Sequence, residues 1–292
     1  MIVVRMQGGL GNQFFQYACG RALSGRLRCP LWLDLSWFRR LPKAATPRAF
    51  ELGRYPIRAS ILDPDRTGGV RFYSAERLGC LARIDGTWTW ARPFRERSLD
   101  FDERISGVQA PRTLEGYWQS PRYFDGLRDT LWNELQPDVP LSEADSRVAA
   151  LIRQSGNQAV SVHVRRGDYL VGVHATHHGV CEETYYSRAL SHLRGEMGAL
   201  RLFVFSDDPE WVQGRSDLFG DATVVSHNRG STAFQDLRLM SMCRGHVIAN
   251  SSFSWWGAWL SRASDKKVIA PLQWLRDGRA LPDLIPRDWV RL

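Results

Sequence analysis

The sequence predicts an α/β fold with parallel sheets divided between two domains, and three observations lead there. Short apolar runs alternate with stretches of helical period through the C-terminal half. Polar and basic clusters follow those runs at once. The length of 292 residues exceeds the roughly 150 residues that one hydrophobic core usually organises, so two domains facing a cleft are expected.

In the first domain, residues 1–150, Ile2–Met6 reads as a strand and Gln7-Gly8-Gly9-Leu10-Gly11-Asn12 as a loop. A helix from about Gln13 to Leu23 and a strand at Leu31–Leu35 complete a βαβ unit. The loop lets backbone approach a ligand closely, and the helix start behind it points N–H groups at that ligand. It has neither the Gly-Lys-Ser/Thr ending of a P-loop nor the spacing of a dinucleotide fingerprint, and a mere tight turn explains it equally well. From about Leu41 to Gly107 the chain is rich in Arg, Pro and short polar stretches and gives no periodic signal. Leu114–Ser120 reads as extended and 121–135 as helical. Pro137, Pro140 and Leu141-Ser142-Glu143-Ala144 mark a linker and a new helix start, which places the boundary near 140–155.

In the second domain, residues 151–292, apolar runs at 159–164, 201–205, 222–225, 246–249 and 267–270 suit buried strands. Helical patterns such as Glu182–Met197 and Ala233–Cys243 fill four of the gaps, the grammar of a parallel sheet. Arg165-Arg166, Ser206-Asp207-Asp208, His227-Asn228 and Ser251-Ser252 each follow one strand. Parallel strands put all four sets on one edge, where open α/β sheets bind their ligands.

Paired arginines at the end of a buried strand suit a diphosphate, because the planar guanidinium matches phosphate oxygens and stays charged. An ion pair among Arg165, Arg166 and Asp168 is the structural alternative. Asn250–Leu260 reads as a strand end running into a helix whose serines cap it or bind phosphate. Trp255, Trp256, Trp259 and Leu260 then form a broad apolar wall beside the anion site. Asp207-Asp208 could hold a metal, act as a base, or accept from the N1–H and 2-amino donors of guanine. Capping of the helix at Pro209-Glu210-Trp211 accounts equally well for one of the two.

The composition, 43% hydrophobic and 24% charged, is that of a globular chain. No apolar run approaches the roughly 18 residues that span a bilayer, and Met1-Ile2-Val3-Val4 reads as a strand, so a cytoplasmic location is expected. Cys19, Cys29, Cys80, Cys181 and Cys243 are odd in number and widely spaced, which argues against a disulfide framework and a cysteine zinc site; they read as buried thiols. His174-x-x-His177-His178 with Cys181 fits no common zinc spacing and Asp100-x-Asp102 reads as surface, so no metal is expected. A net charge of +8 with scattered arginines points to an anionic ligand, or to attachment at the inner face of an anionic membrane. Nucleic acid is disfavoured, since no basic stripe or binding module is visible.

Taken together, Gly9-Leu10-Gly11-Asn12-Gln13, Gly116-Tyr117-Trp118-Gln119-Ser120, His163-x-Arg165-Arg166-x-Asp168, Phe205-Ser206-Asp207 and Asn250 through Trp259 resemble the α-1,2-fucosyltransferases of glycosyltransferase family 11. The resemblance runs from residue 6 to about 275 and is poor from Pro42 to Gly107. It implies a GT-B architecture, two Rossmann-like domains facing a cleft, with GDP-β-L-fucose held by the C-terminal one. It further implies inverting transfer, without metal or cofactor, to a sugar 2-hydroxyl, usually of galactose, in an oligosaccharide or lipid-linked glycan.

By that resemblance Arg165 binds the β-phosphate, Asp207 lies near guanine, and Ser251, Ser252 and Phe253 close over the diphosphate; Gly11, Asn12 and Arg166 complete the expected donor contacts. His163 and Asp168 are further catalytic candidates, with structural roles as their alternative. A transferase using another nucleotide sugar is the rival within enzymes. A retired enzyme serving as a sugar-binding module would lose the phosphate-binding arginine that this chain keeps.

Overall fold

Ile2–Arg5 (β1) is apolar until its last residue and lies at the centre of a sheet, as such a run must to bury both faces. The computed structural model describes residues 1–39, 47–62, 73–75, 79–84, 87–91, 93–167 and 179–292, the strands between 73 and 91 by backbone alone. Leu31–Asp34 (β2), Ser60–Leu62 (β3), Tyr73–Ala75 (β4), Gly79–Ile84 (β5), Thr87–Ala91 (β6), Pro93–Arg95 (β7) and Arg112–Glu115 (β8) follow in this half of the chain. Five of them form a parallel sheet in the order β3-β2-β1-β8-β7, and β4-β5-β6 form a small antiparallel sheet. Five strands, β3 to β7, thus lie in the stretch that gave no periodic signal. They are three to six residues long, below the window in which alternation becomes visible.

Two expected elements differ in extent. The helix after β1 is Leu10–Arg26, so Gly11 and Asn12 sit in its first turn and not in the loop before it. The helix expected over 121–135 is a 3₁₀ turn, Pro121–Phe124, followed by a helix at Arg128–Glu134. Gly126 between them has φ +80°, outside helical space, and this divides the run.

The second sheet is built from Ala159–Val164 (β9), Arg201–Ser206 (β10), Thr223–Val225 (β11), Gly245–Val247 (β12), Lys267–Ala270 (β13) and Val290–Arg291 (β14). All run parallel in the order β11-β10-β9-β12-β13-β14. Val160, Val162 and Val164 of β9 face the helix Glu183–Met197, packing on Tyr185, Tyr186, Ala189, Leu190 and Leu193. Ala159 with Phe203, Phe205 and Val225 faces the opposite way, toward the helices Glu143–Ser155 and Phe234–Ser241.

Contacts divide the chain into Met1–Asp138 with Pro282–Leu284, and Val139–Leu281 with Ile285–Leu292. The sequence reading put the boundary at 150/151, near 140–155. The division at 138/139 arises because the whole helix Glu143–Ser155, capped by Ser142, packs through Val148, Ala149 and Ile152 on the second sheet.

Candidate active site

Register builds this site. β9 and β10 are parallel neighbours with His163 beside Phe205 and Val164 beside Ser206. The residues just beyond meet in the same order: Arg165 Nη1 lies 3.0 Å from Asp207 Oδ2, and Arg166 Nε lies 3.1 Å from Asp208 Oδ2. The Arg166 backbone amide donates to Asp207 Oδ1 at 2.8 Å. Arg166 also stands over the Trp211 ring, 4.4 Å from its centroid, a cation–π contact. Asp208 caps the helix Pro209–Gln213 by accepting from the Trp211 amide. Asp207 therefore engages Arg165 and the strand end through both oxygens.

On the other side of β9, His163 is buried and its ring centroid lies 5.8 Å from that of Phe253. Burial first, then the neighbouring Arg165 charge, pushes its pKa down to about 3, so the imidazole is neutral and weakly basic near pH 7. Its Nδ1 is buried without a partner among the described residues. Phe253 belongs to the first turn of the helix Ser252–Trp259, which starts at the carboxyl edge beyond β12; Ser251 caps it, accepting from the Phe253 amide at 3.3 Å. Ser252 is half-buried at that start. The second unit thus brings His163, Arg165, Asp207, Ser251, Ser252 and Phe253 to one edge of its sheet, while Arg166 is turned to the opposite face and held there. A guanidinium fixed by a carboxylate next to a helix N-terminus is an arrangement that binds phosphate. Asp168 and the histidines at 174, 177 and 178 lie outside the described residues.

The tryptophan wall expected beside the anion site is core. Trp255 and Trp256 are fully buried and Trp259 nearly so. They pack on one another, Trp255 meets Trp289 at 5.4 Å, and their helix lies on the helix Phe234–Ser241. An apolar face on a short helix is covered by whatever packs on it, which here is protein.

At the end of β11, His227 and Asn228 donate to the buried Asp145 Oδ1 at 2.8 and 2.7 Å, and Asn228 also reaches Asp236 Oδ1 at 2.8 Å. Burial would raise Asp145, yet hydrogen bonds from Ser142, Asn228 and His227 outweigh it and hold it below the usual range. Asp236, raised by burial and by the Asp145 charge it faces, is pushed up to about 7. Neither acid was visible as part of a site, because each reads as one polar position on an amphipathic helix.

Gly11 and Asn12 belong to the first unit. Gly8 before them has φ +75°, and a Cβ there would lie 2.7 Å from Asn12 Nδ2, so the loop needs glycine. Asn12 Oδ1 accepts from Gln119 Nε2 at 2.7 Å, joining this loop to the turn after β8. In that turn Glu96 accepts the Tyr117 and Trp118 amides at 2.7 and 2.8 Å. Burial pushes Glu96 up to about 7. The sequence gave no signal for Glu96, which follows a three-residue strand in the unassigned stretch. Asp102, in the pair read as surface, caps a 3₁₀ turn and pairs with Arg104. Cys19, Cys29, Cys181 and Cys243 are free thiols, Cys19 and Cys243 buried. No described helix is long and apolar enough to cross a membrane.

Comparison with known proteins agrees with this geometry. The model of the family described as "Glycosyl transferase family 11" matches residues 94–291. An Escherichia coli protein named alpha-1,2-colitosyltransferase is 33% identical over 304 residues, covering 100% of this chain and 99% of the relative. Human galactoside alpha-(1,2)-fucosyltransferase 1 is 28% identical over 179 residues, 58% of this chain and 49% of the human protein. The solved structure of NodZ alpha-1,6-fucosyltransferase soaked with GDP-fucose superposes with a TM-score of 0.50 at 14% identity, covering 91% of this chain and 96% of that one. The fold is GT-B in class, with two Rossmann-like units.

Proposed function

The chain belongs to glycosyltransferase family 11, and from that premise we propose that it transfers L-fucose from GDP-β-L-fucose to the 2-hydroxyl of a terminal galactose in an oligosaccharide or lipid-linked glycan, with inversion and without a metal. The observation that carries this is the oriented Arg165, held by Asp207 at the same carboxyl edge of the sheet at which the helix Ser252–Trp259 begins, β9 and β12 being parallel neighbours. As the bond from the sugar C1 to the diphosphate breaks, negative charge grows on the β-phosphate. A guanidinium and helix N–H groups aimed there favour the transition state over the ground state, and they supply the positive charge that a divalent cation supplies in metal-dependent enzymes. His163, neutral and buried against Phe253, then packs the site and does not exchange protons.

The names of two relatives support the α-1,2 linkage, and that of the human protein supports a galactoside acceptor. A second donor is favoured by one observation, the full-length match to a colitosyltransferase. Colitose is fucose without its 3-hydroxyl, so the same diphosphate site serves both sugars, and the pocket around C3 decides between them.

The test is incubation with GDP-fucose, GDP-colitose, GDP-mannose and UDP-galactose against a panel of β-galactoside and N-acetylgalactosaminide acceptors, with product linkage read by NMR. Transfer from GDP-fucose to O2 of galactose is expected. Transfer from GDP-colitose alone would select the second donor, and transfer only from UDP-galactose or GDP-mannose would overturn both.

A further inference from the structure

Among the described residues, the first unit presents one exposed aromatic side chain on the carboxyl edge of its sheet, and the local structure is built around holding it there. Tyr117 is 37% exposed, the only aromatic among the exposed large apolar side chains of the described residues. It follows β8, whose parallel neighbour β1 runs in register with Val4 beside Leu114, so the turn Gly116–Ser120 lies next to Gly8, Gly9 and the first turn of the helix Leu10–Arg26. The Gln119–Asn12 hydrogen bond closes that junction.

Three features of this turn run against local preference. Trp118 has φ +57°, a conformation that non-glycine residues rarely adopt and that persists only when the surroundings enforce it. Glu96 is half-buried and accepts two successive backbone amides with its two oxygens. Gly116 leaves the space that Glu96 fills, since a Cβ there would stand 2.5 Å from the Glu96 Cβ. The indole of Trp118 is fully buried, stacked on Phe94 at 5.8 Å and edge-on to Tyr123 at 5.4 Å. The turn is thus fastened from below, and the neighbouring residue is left facing solvent.

We propose that Tyr117 is the aromatic platform of an acceptor-sugar subsite in the first unit, stacking on the C3–C4–C5 face of a terminal β-galactosyl residue, with the Asn12–Gln119 amides at its edge and Glu96 as the positioning residue of the turn. This deepens the reading of the preceding subsection and rests on it. A galactoside is the sugar that fits: its axial 4-hydroxyl leaves one ring face as continuous C–H surface, while the hydroxyls on the other face and rim are left for amides. Tyrosine suits such a face because a rigid ring offers large apolar contact with two torsions to fix.

The experiment uses the full chain, Tyr117→Ala and Tyr117→Phe, with methyl β-galactoside as acceptor and the GDP-sugar that the wild type uses as donor. For Tyr117→Ala the acceptor KM should rise about tenfold or more, the loss of one aromatic contact. The donor KM and acceptor-independent donor hydrolysis should stay within about twofold, and Tyr117→Phe should restore acceptor KM to within about threefold. Saturation-transfer NMR of methyl β-galactoside and methyl β-glucoside gives a readout that needs no turnover: signals at H3, H4 and H5 of the galactoside, lost in Tyr117→Ala and kept in Tyr117→Phe. Unchanged acceptor KM or unchanged galactoside signals in Tyr117→Ala would overturn the platform. So would a parallel loss of donor and acceptor constants with a lowered melting temperature that phenylalanine does not rescue. A wild-type chain that transfers no sugar yet shows the Tyr117-dependent galactoside signals would refute the transferase reading and leave the subsite standing.

Discussion

Replacing each strand-end arginine by lysine, one at a time, separates two roles that the alternation of β9 assigns to opposite faces. Arg166→Lys keeps a cation over Trp211 but loses the planar fork, whose Nε lies 3.1 Å from Asp208 Oδ2 and whose carbon stands 4.4 Å from the ring centroid. With about a fifth of the side chain exposed, the loss is on the order of 1 kcal/mol, a fraction of a partly desolvated cation–π contact plus a screened ion pair. That lowers the melting temperature by about 2–4 °C in a domain of this size. Arg165→Lys has the opposite signature. Asp207 holds the Arg165 guanidinium at 3.0 Å, and a lysine ammonium, with its three N–H groups on one nitrogen, lacks the planar fork that turns an N–H of a second nitrogen to phosphate while the first holds Asp207. If that N–H strengthens as charge develops on the leaving group, kcat falls on the order of 10²-fold or more, as on removing one oriented donor from an oxyanion site. GDP affinity falls less, because the ground state uses the contact less. The assay is kcat and KM for the GDP-sugar, GDP binding by calorimetry, and a melting curve for each variant. A folded Arg165→Lys enzyme with near-normal kcat, beside an inactive Arg166→Lys enzyme, would refute the assignment of the two faces.

Three further outcomes are expected. Asp236, raised from 3.8 to about 7 by burial and by Asp145, keeps in the folded state a proton that the unfolded chain releases, so stability falls as pH rises through that window, by up to about 1.4 kcal/mol per unit, and levels off above it. Asp236→Asn should flatten that slope in denaturant midpoints measured from pH 5 to 8, and parallel curves would contradict it. Gly116→Ala forces a methyl to 2.5 Å from the Glu96 Cβ; an overpacking loss of about 1–3 kcal/mol is expected in urea unfolding, and an unchanged midpoint would show that β7 moves freely. Activity should withstand EDTA, since Arg165 and a helix N-terminus supply the positive charge at the leaving group; inactivation reversed by Mn²⁺ would bring a metal into the reaction.

The second sheet was legible because a strand buried on both faces writes itself as a continuous apolar run. Ala159–Val164 is such a run, and the runs at 201–205 and 267–270 fall on strands at Arg201–Ser206 and Lys267–Ala270. Once the strands are parallel, the residues after them must share an edge, so the common edge of Arg165, Asp207 and Ser251 was readable in the sequence. The tryptophans of Ser252–Trp259 were misplaced for the complementary reason. Their apolar face is plain in the sequence, but Trp289, which helps cover it, stands 34 residues after Trp255 and carries no mark of doing so. Glu96 was hidden twice, just after a strand of only three residues and in a pairing with amides that belong to no side chain.

Which arginine takes which carboxylate could not be read from composition or spacing, and it is the register that decides it. With His163 beside Phe205 and Val164 beside Ser206, continuing one and two residues along both strands sets Arg165 beside Asp207 and Arg166 beside Asp208. Successive side chains leave extended backbone on opposite sides, so the two pairs form on opposite faces: one beside His163 and Phe253, the other over Trp211. A slip of one residue between β9 and β10 would set Arg166 beside Asp207 and Arg165 beside Ser206, or Arg165 beside Asp208 and Arg166 beside Pro209, and it would also turn Phe203 and Phe205 out of the core they fill with Val225 and Met240. The burial of those phenylalanines is therefore what keeps Asp207 with Arg165, and the hydrophobic face of one strand sets the direction of the guanidinium at the end of its neighbour.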